Sequence, residues 1–316
     1  MRTKDILMLS MVKGIGPATI KKNLQRLMTE DSCYNLVEEL KPEEMEYLPV
    51  YEKDAESIIS ICKIEGIEII DITSLSYPPL LLEISNPPAI IYVKGNKKLL
   101  ENVIAIIGTR NSTDIGNRIA ERLGDYFSRD FAICNGLVEG IDEHSIYVNG
   151  KIIPNVVGII SGGLCFKSTC SQNHIRVIED VLASGGLIIS EFPPMKKEDQ
   201  YAGGNSSRIQ AGLSLGIILV QSKIDGGSKY TLEKFVKLER VLGVVDFSAN
   251  SEYQDDVFEA NRLILKDKEY GLAKFVGLKT VKTLKIKDIV SIKGKDDYRV
   301  FRDKLRLNDS VKLKLF

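Results

Sequence analysis

The chain holds two histidines, five cysteines and no excess of charge of either sign among its 316 residues, and each shortage removes a class of function. With His144 and His174 as the only imidazoles, no Ser-His-Asp or Cys-His nucleophile can be read from the order of residues. A P-loop lysine motif is also absent. Five cysteines, an odd number without framework spacing, fit reduced thiols rather than a disulfide scaffold. Cys165, Cys170 and His174 match no common zinc spacing and lack a fourth ligand, so neither a metal nor a cofactor is expected. No apolar run approaches the roughly 18 residues of a membrane span, and Met1–Asp5 does not open a secretion signal. The expectation is a cytoplasmic protein without membrane contact. Internal repeats and low-complexity tracts are missing too.

The balance of 43 basic against 43 acidic residues hides an uneven distribution. Residues 1–27 carry six Lys/Arg and one Asp, residues 28–75 carry three against thirteen, and residues 263–316 carry fifteen against seven. Both ends are therefore expected to offer basic faces to a polyanion, the alternative being an ordinary solvated lysine-rich surface.

The most informative stretch is Val103-Ile-Ala-Ile-Ile-Gly-Thr-Arg110, followed by Ser112 and Gly116. Its apolar run reads as a strand covered on both faces. Gly108 lets the backbone turn and approach a ligand closely, Thr109 and Ser112 add hydroxyls, and Arg110 adds a forked cation that matches phosphate oxygens. Asp114–Ser128 reads as a helix whose positive N-terminal end faces the same spot. The competing reading is the plain strand-glycine-helix junction of any doubly wound sheet.

Similar apolar runs recur at 131–134, 156–160, 187–190, 216–220 and 241–245, spaced widely enough for helices between them, which predicts βαβ units and a parallel sheet. Most end in small or polar residues, among them Asn135-Gly136, Ser161-Gly162-Gly163, Ser190-Glu191 and Gln221-Ser222, which should converge beyond the carboxyl ends of the strands. Residues 1–72 show helical spacing and form a small helical unit. Within it, Met11–Ile20 resembles a helix-hairpin-helix turn, with Lys13, Lys21 and Lys22 nearby. Residues 73–250 form the α/β unit, entered through Tyr77-Pro-Pro-Leu and Asn86-Pro-Pro. Residues 251–316 form a basic extension with a helix over 255–265 and candidate strands such as Thr283–Lys287. The predicted class is α/β: an extended Rossmann-like, doubly wound, mainly parallel sheet behind a small helical (SAM or helix-hairpin-helix-like) domain.

Six ordered elements resemble the DprA/Smf family of DNA-processing proteins: Tyr77-Pro-Pro-Leu, Asn86–Asn96, Ile107-Gly-Thr-Arg110 with Gly116, Asn135–Asp142, Gly185–Pro194 and Arg208–Ser214. The resemblance implies binding of single-stranded DNA along a basic pocket, homodimerisation, and delivery of the DNA to a RecA-type recombinase in recombination and natural transformation. Nucleic-acid contacts are expected from Gly108, Thr109, Arg110, Ser112, Gly136, Lys167, Arg208, Gly227 and Ser228, Lys167 being alternatively a solvated surface lysine. The chain departs from the family in four places. Ser206-Ser207-Arg208 stands where an Arg-Asn-Arg triplet is usual, Ile146 where a histidine is usual, no Tyr-Pro follows Gly162-Gly163, and Asp246-Phe247 replaces a Pro-Gly.

Lys94 and Lys229 also belong beside the crevice, either as phosphate contacts or as solvated lysines. Tyr77, Phe192 and Tyr201 are candidates for stacking on bases or for plain packing. Asp142 and Glu191 read as a helix cap or as carboxylates that orient an arginine. Gly226-Gly-Ser-Lys-Tyr-Thr-Leu-Glu233 resembles the phosphate-binding segment of nucleoside-monophosphate phosphoribohydrolases, one residue longer between the glycine pair and Thr231. Two further readings follow, an enzyme of that class using Glu233 and a non-catalytic nucleotide sensor. A binder without catalysis is the expectation.

Overall fold

The computed structural model describes residues 2–198 and 203–312. Five helices come first: α1 (Thr3–Met11), α2 (Pro17–Lys22), α3 (Leu24–Thr29), α4 (Tyr34–Leu40) and α5 (Leu48–Glu65). Then follow β1 (Glu68–Asp71), α6 (Pro79–Leu82), β2 (Ile90–Gly95), β3 (Val103–Ile107), α7 (Asp114–Phe127), β4 (Ala132–Asn135) and α8 (Ile141–Ile146). A short hairpin, β5 (Tyr147–Val148) and β6 (Lys151–Ile152), leads to β7 (Val156–Ile159), α9 (Phe166–Thr169), α10 (Gln172–Ala183) and β8 (Leu187–Ser190). The rest is α11 (Gly203–Leu213), β9 (Gly216–Leu219), α12 (Ser228–Phe235), β10 (Val241–Val245), α13 (Glu259–Asp267), α14 (Glu269–Phe275), β11 (Asp288–Ile292) and α15 (Lys295–Lys312).

Nine strands make one sheet in the order β1-β2-β8-β7-β4-β3-β9-β10-β11. Strands β8 through β11 along that order run parallel, whereas β2 is antiparallel to both β8 and β1. The central strands are buried at every residue, because helices cover both faces, and this is why they read as unbroken apolar runs instead of alternating ones. Strands β3, β8 and β10 coincide with their predicted runs at both ends.

The sheet reaches back to β1 and forward to β11, outside residues 73–250. One hydrophobic cluster runs from Ile6 to Leu305. The last strand starts at Asp288, not within Thr283–Lys287 as its alternation predicts. There, Lys285 and Lys287 donate their amides to Val236 and Arg240 carbonyls at the end of α12 and before β10, so the backbone is used up before it reaches the sheet. Helix α15 packs inward: Phe301 is fully buried edge-on against Phe127, 5.7 Å between ring centroids, and Tyr298 lies 5.2 Å from Tyr126.

The basic N-terminal face expected from composition is partly taken up by ion pairs on the protein surface. Lys4 pairs with Glu52 and Glu56, Arg26 with Glu30 and Glu39, and the Lys21 ammonium donates to the Ile84 carbonyl. The acidic stretch 28–75 pairs with two of these cations, which leaves Arg2, Lys13 in the α1–α2 turn and Lys22 at the end of α2 exposed. Toward the other end, exposed Lys266, Lys268, Lys274, Lys279, Lys282 and Lys285 keep a basic strip on the surface.

Candidate functional site

Strand β3 lies between β4 and β9, and the chain leaves it in opposite directions, through β4, β7 and β8 on one side and β9, β10 and β11 on the other. That reversal makes the carboxyl ends of β3 and β9 the switch point of the sheet, the place where doubly wound sheets hold ligands in a crevice. Residues 108–113 and 220–227 form its walls. Gln221 stitches them together: its carbonyl accepts the Thr109 amide at 2.9 Å, its side-chain oxygen accepts the Thr113 amide at 3.2 Å, and its Nε2 donates to Thr113 Oγ1 at 2.7 Å. Thr113 in turn caps α7 by accepting the Gly116 amide, and Ser112 Oγ donates to Asn117 at 2.5 Å.

The loop after β4 closes the floor. Asn135 is fully buried, with Nδ2 donating to the Asp142 carbonyl and Ser145 Oγ while its oxygen takes the Leu137 amide. Gly140 has φ +80°, and a Cβ there would lie 2.3 and 2.4 Å from the Arg110 and Thr109 carbonyls, so only glycine lets this loop press against the one after β3. At Gly108 an added Cβ would come within 2.4 Å of Ile141, so this glycine serves packing as much as ligand approach.

Asp142 is the buried charge of the floor. Its Oδ2 accepts the Gly136 amide at 2.8 Å. Burial pushes the carboxyl up to about 7, against the pull of the Gly136 and Val138 amides and of the Arg110 guanidinium. Arg110 itself is exposed, and among the described residues it makes no hydrogen bond or ion pair. A forked cation thus stands at the crevice mouth above a carboxyl whose ionisation burial has pushed up to about 7.

Arg208 is placed differently. It is buried and holds the Glu191 carboxylate through both terminal nitrogens, at 3.0 and 2.5 Å. Its position in α11 next to the loop after β8 makes it an internal brace there, and a phosphate would have to compete with Glu191 for it. Lys167 is exposed on α9 and pairs with Glu179 of α10 at 3.3 Å, on the outer rim. Lys94 sits over the Phe166 ring and Lys229 over Tyr230. Tyr77 is buried, with its hydroxyl on the Pro88 carbonyl, which is packing and not a stacking platform. Tyr201 lies outside the described residues.

Across the crevice, Gly227 is open and Ser228 begins α12 with its Oγ buried and without a partner among the described residues. Ser206 Oγ and Gln210 Nε2 on α11 share that condition, and Gln210 touches Thr231 of α12. Ser228 lies in the first turn of α12, and Gln210, well inside α11, ties the two helices together through Thr231. Sequence reasoning missed one exposed aromatic group beside the crevice wall, Tyr230. Tyr230 lies inside the glycine-rich segment already singled out, and that adjacency was the available signal. Glu233 lies a turn into α12; burial tends to raise its carboxyl, but Lys234 and Lys237 outweigh this and hold it below the ordinary range.

This geometry can be set beside known proteins. The family model described as DNA recombination-mediator protein A matches residues 68–268, most of the sheet and both crevice walls. The chain belongs to that family. Family membership covers β1 through α13 and accounts for the shared order of the DprA/Smf motifs. The DNA processing protein DprA of Bacillus subtilis (strain 168) is 32% identical over 199 residues, covering 62% of this chain and 66% of that protein. The X-ray structure of DNA processing protein A from Streptococcus pneumoniae superposes with a TM-score of 0.69 at 19% identity, covering 85% of this chain and 93% of that one. A structure of DNA processing protein A from Helicobacter pylori, concerned with the single-stranded DNA binding mode of that protein, has a TM-score of 0.54 at 21% identity and covers 67% and 94% of the two chains. Both likenesses establish the fold, and the chain spans less than two thirds of the length of the curated relatives it matches. No described helix is long and apolar enough to cross a membrane.

Proposed function

We propose that this family member binds single-stranded DNA in the switch-point crevice and acts as a recombination mediator, without catalysing a reaction. The observation that carries the reading is Arg110, an exposed arginine held at the crevice mouth by two glycine loops and left without a partner among the described residues. Phosphates meeting Arg110, the Gly108 backbone and Gly227-Ser228 across the gap give sequence-independent binding, with Tyr230 offering a base-stacking face; the Thr109 and Gly136 amides and the Ser112 hydroxyl, already given to Gln221, Asp142 and Asn117, shape the loops instead of meeting the ligand. Lys167 adds long-range attraction from the rim, and Arg208 keeps the wall in shape through Glu191. Homodimerisation, delivery of the strand to a RecA-type recombinase in the cytoplasm, and a part in natural transformation complete the proposal on the strength of family membership.

A second reading, a nucleotide sensor or a phosphoribohydrolase-like enzyme, draws on the orphaned Ser228 hydroxyl beside Gly226-Gly227. The pairing of Glu233 with two lysines counts against the enzyme. Fluorescence anisotropy with single-stranded DNA, duplex DNA and mononucleotides separates these readings. Arg110→Ala should cost roughly 1–3 kcal/mol on single strands and lower the salt slope by about 0.7. Unchanged affinity and slope would remove Arg110, and with it the basis of the crevice reading.

A further inference from the structure

Away from the crevice floor, Cys170, His174 and Glu198 bring one ligand atom each to within 4.8 Å of one another, and no other group of three His, Cys, Asp or Glu does so among the described residues. Their positions are fixed by the backbone. Cys170 ends α9, His174 lies in the first turn of α10, and Glu198 is pinned by its own amide on the Thr169 carbonyl at 2.8 Å. Two more main-chain bonds, Gly163 to Lys196 at 2.7 Å and Cys165 to Pro194 at 2.9 Å, bind the same two loops to each other. The third donor therefore arrives from 24 residues beyond His174, where no local spacing motif records it.

We propose that Cys170, His174 and Glu198 form a binding site for a borderline-soft divalent cation of the zinc class, clamping the loop after β7 to the loop after β8. A thiolate, an imidazole and a carboxylate are the donor set such an ion takes, and three protein ligands leave one tetrahedral position for water. Around zinc these donors sit roughly 3.3–3.6 Å apart, given metal bonds of about 2.0–2.3 Å. His174 Nδ1 now lies 2.6 Å from Glu198 Oε1, so replacing the shared proton by an ion needs a side-chain shift of under about 1 Å. The ion would take Nδ1, the ring nitrogen that faces Glu198, and the buried Nε2, which has no partner among the described residues, would keep its proton. Cys165, nearer in sequence, is not part of the cluster, since its neighbours are Glu65, Lys94 and Cys62 on the β2 side. All three ligands are partly exposed, which gives an ion a way in.

Titrating the reduced, chelator-treated full chain with Co²⁺ tests the site. The expected result is one cobalt per chain with a near-ultraviolet sulfur-to-cobalt charge-transfer band, displaced by one equivalent of Zn²⁺. Cys170→Ser should abolish the band and Cys165→Ser should keep it. His174→Gln and Glu198→Gln should each weaken zinc by more than the ~10–100-fold typical of outer-shell groups. X-ray absorption on the zinc-loaded wild type covers the case in which a variant fails to fold, and one sulfur at about 2.3 Å with nitrogen or oxygen neighbours is expected. No stoichiometric cobalt binding by folded wild-type protein, a band that survives Cys170→Ser, or a zinc shell with no sulfur or with several would overturn the proposal and leave a His-Glu ion pair beside a thiol.

Discussion

Asp142→Asn probes the crevice floor more directly than any other single change. The carboxyl is buried, accepts the Gly136 amide, and has its pKa pushed up by that burial from 3.8 to about 7. Between those two values the native chain keeps a proton that the unfolded chain gives up. The native state is therefore favoured most below about pH 4 and loses that advantage as the pH climbs through about 7. Three units at about 1.4 kcal/mol each set the loss at no more than about 4 kcal/mol. Asparagine keeps the shape and the oxygen that takes the Gly136 amide but cannot ionise. Its stabilising effect should be largest at pH 8 and shrink toward zero as the pH falls to 4. At roughly 2–4 °C per kcal/mol, the melting temperature at pH 8 should rise by several degrees. Ligand binding should follow the same proton. A phosphate on Arg110 takes away a cation that favours ionised Asp142 and adds a negative charge beside it, which raises the carboxyl pKa further. For each unit of that rise, wild-type affinity should fall by up to about tenfold from pH 6 to pH 8, while Asp142→Asn stays flat. Calorimetry at pH 7 in two buffers of different ionisation enthalpy would count the proton taken up. Equal melting temperatures for variant and wild type across pH 4–8, or a pH-independent wild-type affinity, would refute this account of the floor.

Arg208→Met should destabilise the fold by about 3–5 kcal/mol by leaving Glu191 buried without its partner, and the double change with Glu191→Leu should recover much of it; a single variant that melts with the wild type would show the brace to be idle. Truncation before residue 263 should yield insoluble protein, not a weaker binder, because it strips β11 from the edge of β10 and Phe301 from Phe127; a soluble, monodisperse truncation with native circular dichroism would contradict this. Purified protein should release no base from nucleoside monophosphates, and Glu233→Gln should leave DNA affinity unchanged; chromatographic detection of free base that vanishes in Glu233→Gln would convert the binder into an enzyme.

The parallel sheet was legible because its strands are buried on both faces and so carry their signal locally: Val103–Ile107 and Val241–Val245 announce themselves without reference to any neighbour. What stayed hidden depended on partners far along the chain. Arg208 looks like a phosphate ligand until Glu191 is found beside it, and Lys4 and Arg26 look like a basic face until the acidic helices fold back over them. Thr283–Lys287 has the alternation of a strand, yet its amides are claimed by carbonyls of α12 and the segment before β10. The zinc-class cluster escaped for the same reason, its carboxylate lying in another loop. Asp142 was readable as a carboxylate that orients an arginine, but the depth of its burial was not.

The strand order sets a timetable for folding. Tyr92 of β2 waits for Ser190 of β8, and Ala105 of β3 pairs on its far side with Ile217 of β9. At ~5–20 residues per second on the ribosome, β3 spends roughly 5–20 s with one apolar edge unpartnered after it is made. Closing those loops favours slow, late assembly, and the bare edges are templates for wrong pairing in the meantime. Yield in the cell should therefore depend on translation speed through residues 105–217 and on holding chaperones more than on the stability of the finished protein.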